Sequence, residues 1–425
     1  MSLKSKLFKI LYRLTLPGGL LLVISLMLIK VGVLSDATSS LVRSLPLAVF
    51  AIGLGFSAFF RRSRLFFATL AITLADVMLT WVAPKTSGHI AHVLLNAIAL
   101  LLPLNLLVLA FLRERGIISY AGRKRLAAMA VQVIAVGVLF LPPAAGFALL
   151  LERAFVPPLF SNWSRMSQPA LLVFLFAFAV MMVLLTKRDR AVESSLFWAL
   201  IASFVALRTG AGQTLAGIFF ATGALAMIVA VIETSYSMAY LDELTQLPSR
   251  RALNEALLKL PENYTVAMFD VDHFKKFNDS FGHEAGDQAL RMVASRLARI
   301  AGGGKAYRYG GEEFTVLFPG KPAEEVFVFL DRMRKIIEQS TFVVRGRDRR
   351  KGGRGVRRGK KQTSVTVSIG VACSGGEFSA PAEVLRIADQ ALYKAKARGR
   401  NCTVTAKSGK SIRPVETGMR ILSMT

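Results

Sequence analysis

Eight apolar stretches fill the first 240 residues of this chain, separated by short polar or basic segments, and no other feature limits its fold as strongly. They lie at about residues 14–34, 41–60, 65–83, 90–112, 126–151, 168–186, 192–208 and 211–233, the seventh being the shortest. A helix needs about 20 apolar residues to cross the hydrocarbon core of a bilayer, where its backbone polar groups must be satisfied internally. The pattern therefore predicts an all-α polytopic membrane domain over residues 1–233, in contact with the lipid bilayer. The first stretch has basic flanks but no small-residue cleavage site before the second, so it reads as a span and not as a removable signal peptide.

The basic residues between the stretches give an orientation. Lys4, Lys6, Lys9 and Arg13 precede the first, Arg61, Arg62 and Arg64 follow the second, Arg113, Arg115, Arg123, Lys124 and Arg125 follow the fourth, and Lys187, Arg188 and Arg190 follow the sixth. The alternate loops hold only Arg43, Lys85, Arg153 with Arg165, and Arg208. Cytoplasmic loops carry the Lys/Arg excess, so the expectation is a multi-pass protein of a bacterial inner (plasma) membrane with both termini in the cytoplasm. The last stretch continues through Glu233 to Tyr240 without Gly or Pro, which suggests one helix leaving the membrane as a linker over 234–241.

Polar residues inside the stretches are candidate sensory positions. Asp76 and Asn105 fall within spans, and Asp76 is the stronger hint because a buried carboxylate is costly. His89 and His92, at i and i+3, read either as polar helix-end residues or as metal or haem ligands. The outer loop with Phe155, Pro157, Pro158, Phe160 and Trp163 reads as an interfacial anchor or as the cover of a ligand cavity. The sensory ligand itself is not named by any of these.

After residue 240 the character changes. The chain carries a net charge of +27, with 21 Lys+Arg against 7 Asp+Glu through residue 240 and 33 against 20 beyond it. No aromatic residues are interleaved with these cations, which argues against a nucleic-acid-binding face. Cys373 and Cys402, the two cysteines, make no disulfide framework and suit a reducing compartment. Alternation and helical spacing predict strands at 263–271, 305–309, 312–318, 341–345, 363–373 and 402–406, with helices at 284–300, 322–339 and 381–397. That order suggests an α/β domain of the α+β, ferredoxin-like βαββαβ type over residues 242–407, its antiparallel sheet covered by helices on one face, followed by a tail at 408–425.

Three clusters in this half carry chemistry. The first, Phe269-Asp270-Val271-Asp272 through Lys275 to Asn278 and Asp279, places two carboxylates and a lysine where an apolar strand opens into a loop, as a Mg²⁺-nucleotide would require. In the second, Arg308-Tyr309-Gly310-Gly311-Glu312-Glu313-Phe314, a glycine pair permits close backbone approach to phosphate, and paired glutamates can complete a metal site or accept a proton. The third, Tyr393 through Lys396, Gly399, Arg400 and Asn401, gathers cations where a helix ends. Each alone also reads as a solvated loop, a tight hairpin or favourable helix-end charge.

Taken in order, these motifs resemble the GGDEF family of diguanylate cyclases, with the Glu form of the signature. The resemblance runs from Asp242-Glu243-Leu244-Thr245 and Leu247-Pro248-Ser249-Arg250-Arg251 through the Asp270 segment to Val367-Ser368-Ile369-Gly370-Val371-Ala372 and Gly399-Arg400-Asn401. It implies condensation of two GTP into cyclic di-GMP and two pyrophosphates, by a homodimer under control of the membrane domain. Asp270, Glu312 and the Val271 carbonyl then resemble ligands of Mg²⁺, or Mn²⁺ in its place, while Glu313 helps bind metal or activate the 3′-hydroxyl. Asn278 and Asp287 match guanine-reading positions. Lys275, Lys396 and Arg400 match phosphate contacts, with Gly310 and Gly311 held against the phosphates.

Three departures accompany the resemblance. Ala301-Gly302-Gly303-Gly304 stands where the family often has an Arg-x-x-Asp product-inhibition pair, so feedback through that site is not expected. Gln246 and Ser249 replace a commonly seen Gly and Asn. Residues 345–361 hold ten basic residues against Asp348, either a solvated hairpin extension or a surface for anionic lipid or another polyanion. Two other functions fit parts of the pattern: a nucleotide receptor of this fold that binds without turnover, and a transporter regulated by an appended nucleotide-binding domain.

Overall fold

The computed structural model describes residues 12, 15–31, 40–139, 146, 155, 164–187, 191–209, 214–344, 361–375 and 380–406. The basic segment 345–360, Pro157, Pro158, Phe160 and Trp163 of the outer loop, Lys4, Lys6, Lys9, Arg13, Arg188, Arg190 and the tail 408–425 lie outside the described residues. Two compact units are present, Met1–Ser235 and Tyr236–Thr425.

In the first unit the elements are α1 (Gly18–Lys30), α2 (Ser40–Phe59), α3 (Ser63–Val77), α4 (Gly88–Phe111), α5 (Tyr120–Val138), α6 (Gln168–Lys187), α7 (Ala191–Thr209) and α8 (Thr214–Tyr240). A helix lies in each of the eight apolar stretches. Among the described residues five segments are long and apolar enough to cross a membrane: Ser63–Lys85, Gly88–Phe111, Gln168–Lys187, Ala191–Arg208 and Leu215–Tyr240. The described parts of the first two, Gly18–Lys30 and Ser44–Phe59, are shorter apolar helices. The first of the five passes through a π-helical turn at Met78–Val82.

Polar residues pin this bundle. Arg64 is 5% exposed, not a free loop cation. Its guanidinium pairs with buried Glu193 at 3.3 Å and donates to the Leu109 and Ala110 carbonyls, joining α3, α4 and α7. Buried charge is tolerated when it is paired and hydrogen-bonded in this way. Asn105 and Gln132 exchange amide hydrogen bonds between α4 and α5, at 2.8 and 3.1 Å. Buried Asn96 accepts from the Ser167 backbone ahead of α6 and contacts His92. Asp76 accepts from Thr80 at 3.4 Å, and its carboxylate lies against Gly217 of α8. Among the described residues no group of three or more His, Cys, Asp or Glu gathers in a way that would hold a metal, so nothing joins His89 and His92 as further ligands.

The second unit has α9 (Arg250–Leu257), β1 (Tyr264–Val271), α10 (Phe274–Phe281), α11 (His283–Leu297), β2 (Lys305–Arg308), β3 (Glu313–Pro319), α12 (Ala323–Glu338), β4 (Phe342–Val344), β5 (Lys361–Thr363), β6 (Val367–Cys373), α13 (Pro381–Ala397) and β7 (Thr403–Thr405). Five strands form a mixed sheet in the order β2-β3-β1-β6-β7, in which only β6 and β7 pair in parallel. The strands β4 and β5 form a separate antiparallel pair. The expected strand over 363–373 is thus two strands, because the chain leaves β5 before joining the main sheet at Val367.

Helices cover both faces of the sheet, not one. Ala267, Phe269 and Val271 of β1 pack in a core with Val293 and Leu297 of α11 and Val326 and Leu330 of α12. Tyr264, Val266 and Met268 pack on the other face with Leu253 and Leu257 of α9 and Val384, Ala388 and Leu392 of α13. Every residue of β1 is buried as a result. The contact between α13 and β6 is close because Gly370 has no side chain: a Cβ there would come 2.1 Å from the Leu392 nitrogen and 2.2 Å from the Ala388 carbonyl.

Those two atoms belong to helix backbone and cannot rotate aside. Gly370→Ala should therefore destabilise the second unit by about 3 kcal/mol, the upper end of overpacking costs, read as a fall in its denaturation midpoint.

Candidate active site

The site assembles at the end of the central strand. Strand β1 delivers Asp270, whose Cα is directly opposite Glu313 on β3 and Ser368 on β6. The last turn of α13 delivers Lys396, whose Nζ lies 2.8 Å from Asp270 Oδ2. Glu312 comes from the turn just ahead of β3, and its backbone carbonyl accepts from the Val271 N–H at 3.3 Å.

Hairpin geometry follows from the glycines. The Tyr309 and Gly310 N–H groups both donate to the Glu313 carbonyl, closing the turn between β2 and β3. A Cβ on Gly310 would fall 2.7 Å from Glu313 Oε2, whereas one on Gly311 would meet open space. Arg308 braces the loop from below. Its Nε donates to the Gly310 carbonyl at 3.1 Å, its Nη2 to the Gly311 carbonyl at 2.7 Å, and its Nη1 pairs with Asp242 at 2.6 Å. Asp242 in turn accepts from the Thr245 backbone and hydroxyl, and these donors with Arg308 hold its carboxyl below the ordinary carboxylate value against the opposing push of burial.

Around Asp270 the electrostatics run the other way. Burial pushes the Asp270 carboxyl above its ordinary value despite the Lys396 ammonium. Burial and the neighbouring Asp270 charge do the same to Glu312 and to Glu313, the latter also facing Asp389. Three carboxylates thus converge on one ammonium, an excess of negative charge with hard oxygen donors. Such a donor set suits a hard divalent cation. Among the described residues no three acidic or histidine side chains stand close enough together to hold a metal by themselves, so phosphate oxygens or water would supply the remaining ligands.

Asn278 of α10 and Asp287 of α11 flank the left-handed Gly282 that separates their helices. Gly286 approaches so closely that a Cβ would lie 1.9 Å from Asn278 Oδ1, and that buried oxygen has no hydrogen-bond partner among the described residues. An orphaned buried acceptor is rare in a finished fold and marks a position awaiting a donor. Asp287 and Lys275 are exposed, and no described contact ties Lys275 to the carboxylates.

One sequence expectation needs revision. The first cluster counted Asp272 with Asp270 as two carboxylates suited to a Mg²⁺-nucleotide. Asp272 instead turns into the protein, accepting from Ser368, Thr366 and the Asn401 backbone. Sequence reasoning also missed Asp389, which acts on Glu313 through space, and Arg250, which stacks on Tyr309 at 4.5 Å. Asp389 lies two turns before Lys396 on the same face of α13, a spacing from which its proximity was readable.

Residues 239–402 match the family described as "Diguanylate cyclase, GGDEF domain". The chain is 35% identical over 181 residues to the response regulator PleD of Caulobacter vibrioides, covering 41% of this chain and 37% of that protein. It is 36% identical over 167 residues to the diguanylate cyclase VdcA of Vibrio cholerae, covering 38% and 46%. The chain spans less than half the length of either curated relative. Among solved structures, the coiled coil and GGDEF domain of DgcB from Caulobacter crescentus in complex with c-di-GMP is 32% identical, covering 41% of this chain and 90% of that one, at a TM-score of 0.36. Residues 239–402 are thus a GGDEF domain with diguanylate cyclase homologues.

Proposed function

We propose that this protein is a membrane-bound diguanylate cyclase that condenses two GTP into cyclic di-GMP and two pyrophosphates. The observation that carries the reading is the convergence of Asp270, Glu312 and Glu313 on Lys396 at the end of β1. The strand order β2-β3-β1-β6, antiparallel at every pairing, supports a ferredoxin-like arrangement over 242–407, preceded by a linker at 234–241.

In this reading Asp270, Glu312 and the Val271 carbonyl hold Mg²⁺, which when bound offsets charge developing on the phosphates. Asn278 and Asp287 accept from the guanine edge, the orphaned Asn278 oxygen gaining its donor. Lys275, Lys396 and Arg400 contact phosphate, and the open side of Gly311 admits it against the backbone. The 3′-oxygen of one GTP attacks the α-phosphorus of the other as the bond to pyrophosphate breaks. Glu313, its carboxyl raised by burial and by Asp270, is suited to take the hydroxyl proton. One domain holds one GTP, so two copies must face each other. The apolar helices support a membrane location and the Lys/Arg asymmetry of the loops supports both termini in the cytoplasm, with an unidentified sensory ligand acting on the first unit. The turn with left-handed Gly302 and Gly303, packed by Phe329, offers no charged pair for product feedback.

Purified protein incubated with GTP and Mg²⁺ should yield cyclic di-GMP and pyrophosphate by mass spectrometry; hydrolysis alone, or binding without product, rejects the reading. Glu312→Gln should lower product formation by about a hundredfold or more. The same variant should melt no lower than the parent without metal. Acids with raised values hold protons more tightly folded than unfolded, so the metal-free fold is favoured below the ordinary carboxylate range and loses that advantage as pH climbs through the raised values.

Orientation is tested separately. Reporter fusions at residue 118 and at the C-terminus should report the cytoplasm, and fusions at 88 and 160 the opposite side. A C-terminus on the far side would reject the architecture.

A further inference from the structure

The buried carboxylate of Asp272 has no place in the chemistry above. It is 6% exposed, one residue beyond β1. Its Oδ1 accepts from the Ser368 hydroxyl at 2.6 Å, and its Oδ2 from the Thr366 hydroxyl at 2.7 Å and the Asn401 N–H at 3.1 Å. Its own N–H donates to the Thr366 carbonyl at 2.9 Å. A carboxylate offers about four lone-pair sites, and three are already used by protein donors.

The Asn401 bond is the informative one. Gly399, Arg400 and Asn401 have φ of 104°, 66° and 44°, three consecutive left-handed residues that follow Arg398 at the end of α13. For a residue other than glycine this backbone is unfavourable, so Arg400 and Asn401 need compensating contacts. Arg400 N–H donates to the Ala395 carbonyl at 3.2 Å. Asn401 is gripped from two sides. Asp272 takes its backbone N–H, while its side chain accepts from Arg334 at 2.9 Å and donates to Glu338 at 2.8 Å on α12. Arg400 sits between these fixed points, close enough that its charge acts on the Asp270 carboxyl.

We propose that Asp272 is a positioning residue for Arg400, fixing the left-handed turn that presents the guanidinium to the terminal phosphates of the nucleotide. The inference rests on the nucleotide reading of the site. It assigns the two acids of the Asp270-Val271-Asp272 run to different tasks: Asp270 faces the reacting groups, and Asp272 sets the distance of a cation from them.

Chemistry of the side chain supplies the control. In Asp272→Asn, an amide oxygen in the Oδ2 place still accepts from Thr366 and Asn401, and the amide nitrogen donates to the Ser368 hydroxyl, which can turn to accept. In Asp272→Ala the Asn401 N–H, which cannot change role, is left without a partner.

The experiment uses the full chain in detergent and measures affinity for GTP and for GMP in the parent, in Asp272→Asn, in Asp272→Ala, in Arg400→Ala and in the double variant Asp272→Ala, Arg400→Ala. Asp272→Ala should bind GTP about tenfold more weakly, the loss of roughly one charge-assisted phosphate contact, and GMP as before. Asp272→Asn should restore GTP affinity to near the parent value. In the Arg400→Ala background, Asp272→Ala should add almost nothing. If Asp272→Ala does not fold, Asp272→Ser, which keeps a polar group for Ser368 and Thr366 but is too short to reach the Asn401 N–H, should show the same selective loss for GTP. Equal losses for GTP and GMP, additive losses with Arg400→Ala, or unchanged GTP affinity in a folded variant would overturn the inference. A parent chain that does not prefer GTP over GMP would overturn the nucleotide reading itself, and the inference with it.

Discussion

The contact between Asp270 and Lys396 is the condition under which the rest of this domain can exist. A carboxylate at the buried end of a central strand is costly, and two more from the adjoining hairpin add repulsion. A single ammonium 2.8 Å away offsets part of that charge. To bring it there, α13 must lie almost on the backbone of β6, and that approach is open only because residue 370 is glycine. The charge balance of the site and the tightest packing in the sheet are therefore one requirement.

Two arginines show how differently the same group is used in the two units. Arg64 lies among helices, its charge spent on Glu193 and two carbonyls that hold three helices together. Arg308 lies at the rim of the site, where it fixes the carbonyls of both signature glycines and ties them to Asp242. In each case the flat fork of donors lets one side chain serve several acceptors at once. A lysine at either position would satisfy fewer of them.

Much of this was legible in the sequence because local chemistry and fold agree there. The hairpin at Gly310 and Gly311 was readable from its glycines and apolar flanks, and the helix at 381–397 has the bounds its spacing implied. The two-sided covering of the sheet was missed, although the run from Tyr264 to Val271 is apolar on both alternating faces, as strands buried on both sides are. Asp272 was misread for a deeper reason. A cluster at a strand end shows which residue types gather there but not which way each points, and β1 ends at Val271. Its partners Thr366, Ser368 and Asn401 come from far along the chain, so no local pattern could name them. Likewise Arg64 read as one of several loop cations, since Glu193 is distant in sequence.

The order of these parts along the chain has a consequence for biosynthesis. The carboxylates of β1 and β3 leave the ribosome well before α13 and the turn that carries Arg400 and Asn401. Until those last segments emerge, the sheet lacks both the helix that covers one face and the cations that balance its acids. A nascent chain ending short of residue 396 would carry the signature hairpin yet hold its acids without the ammonium that makes their burial tolerable. Completion of this domain's fold and completion of its site thus fall in the same stretch of translation, which leaves little opportunity for a half-made domain to engage nucleotide.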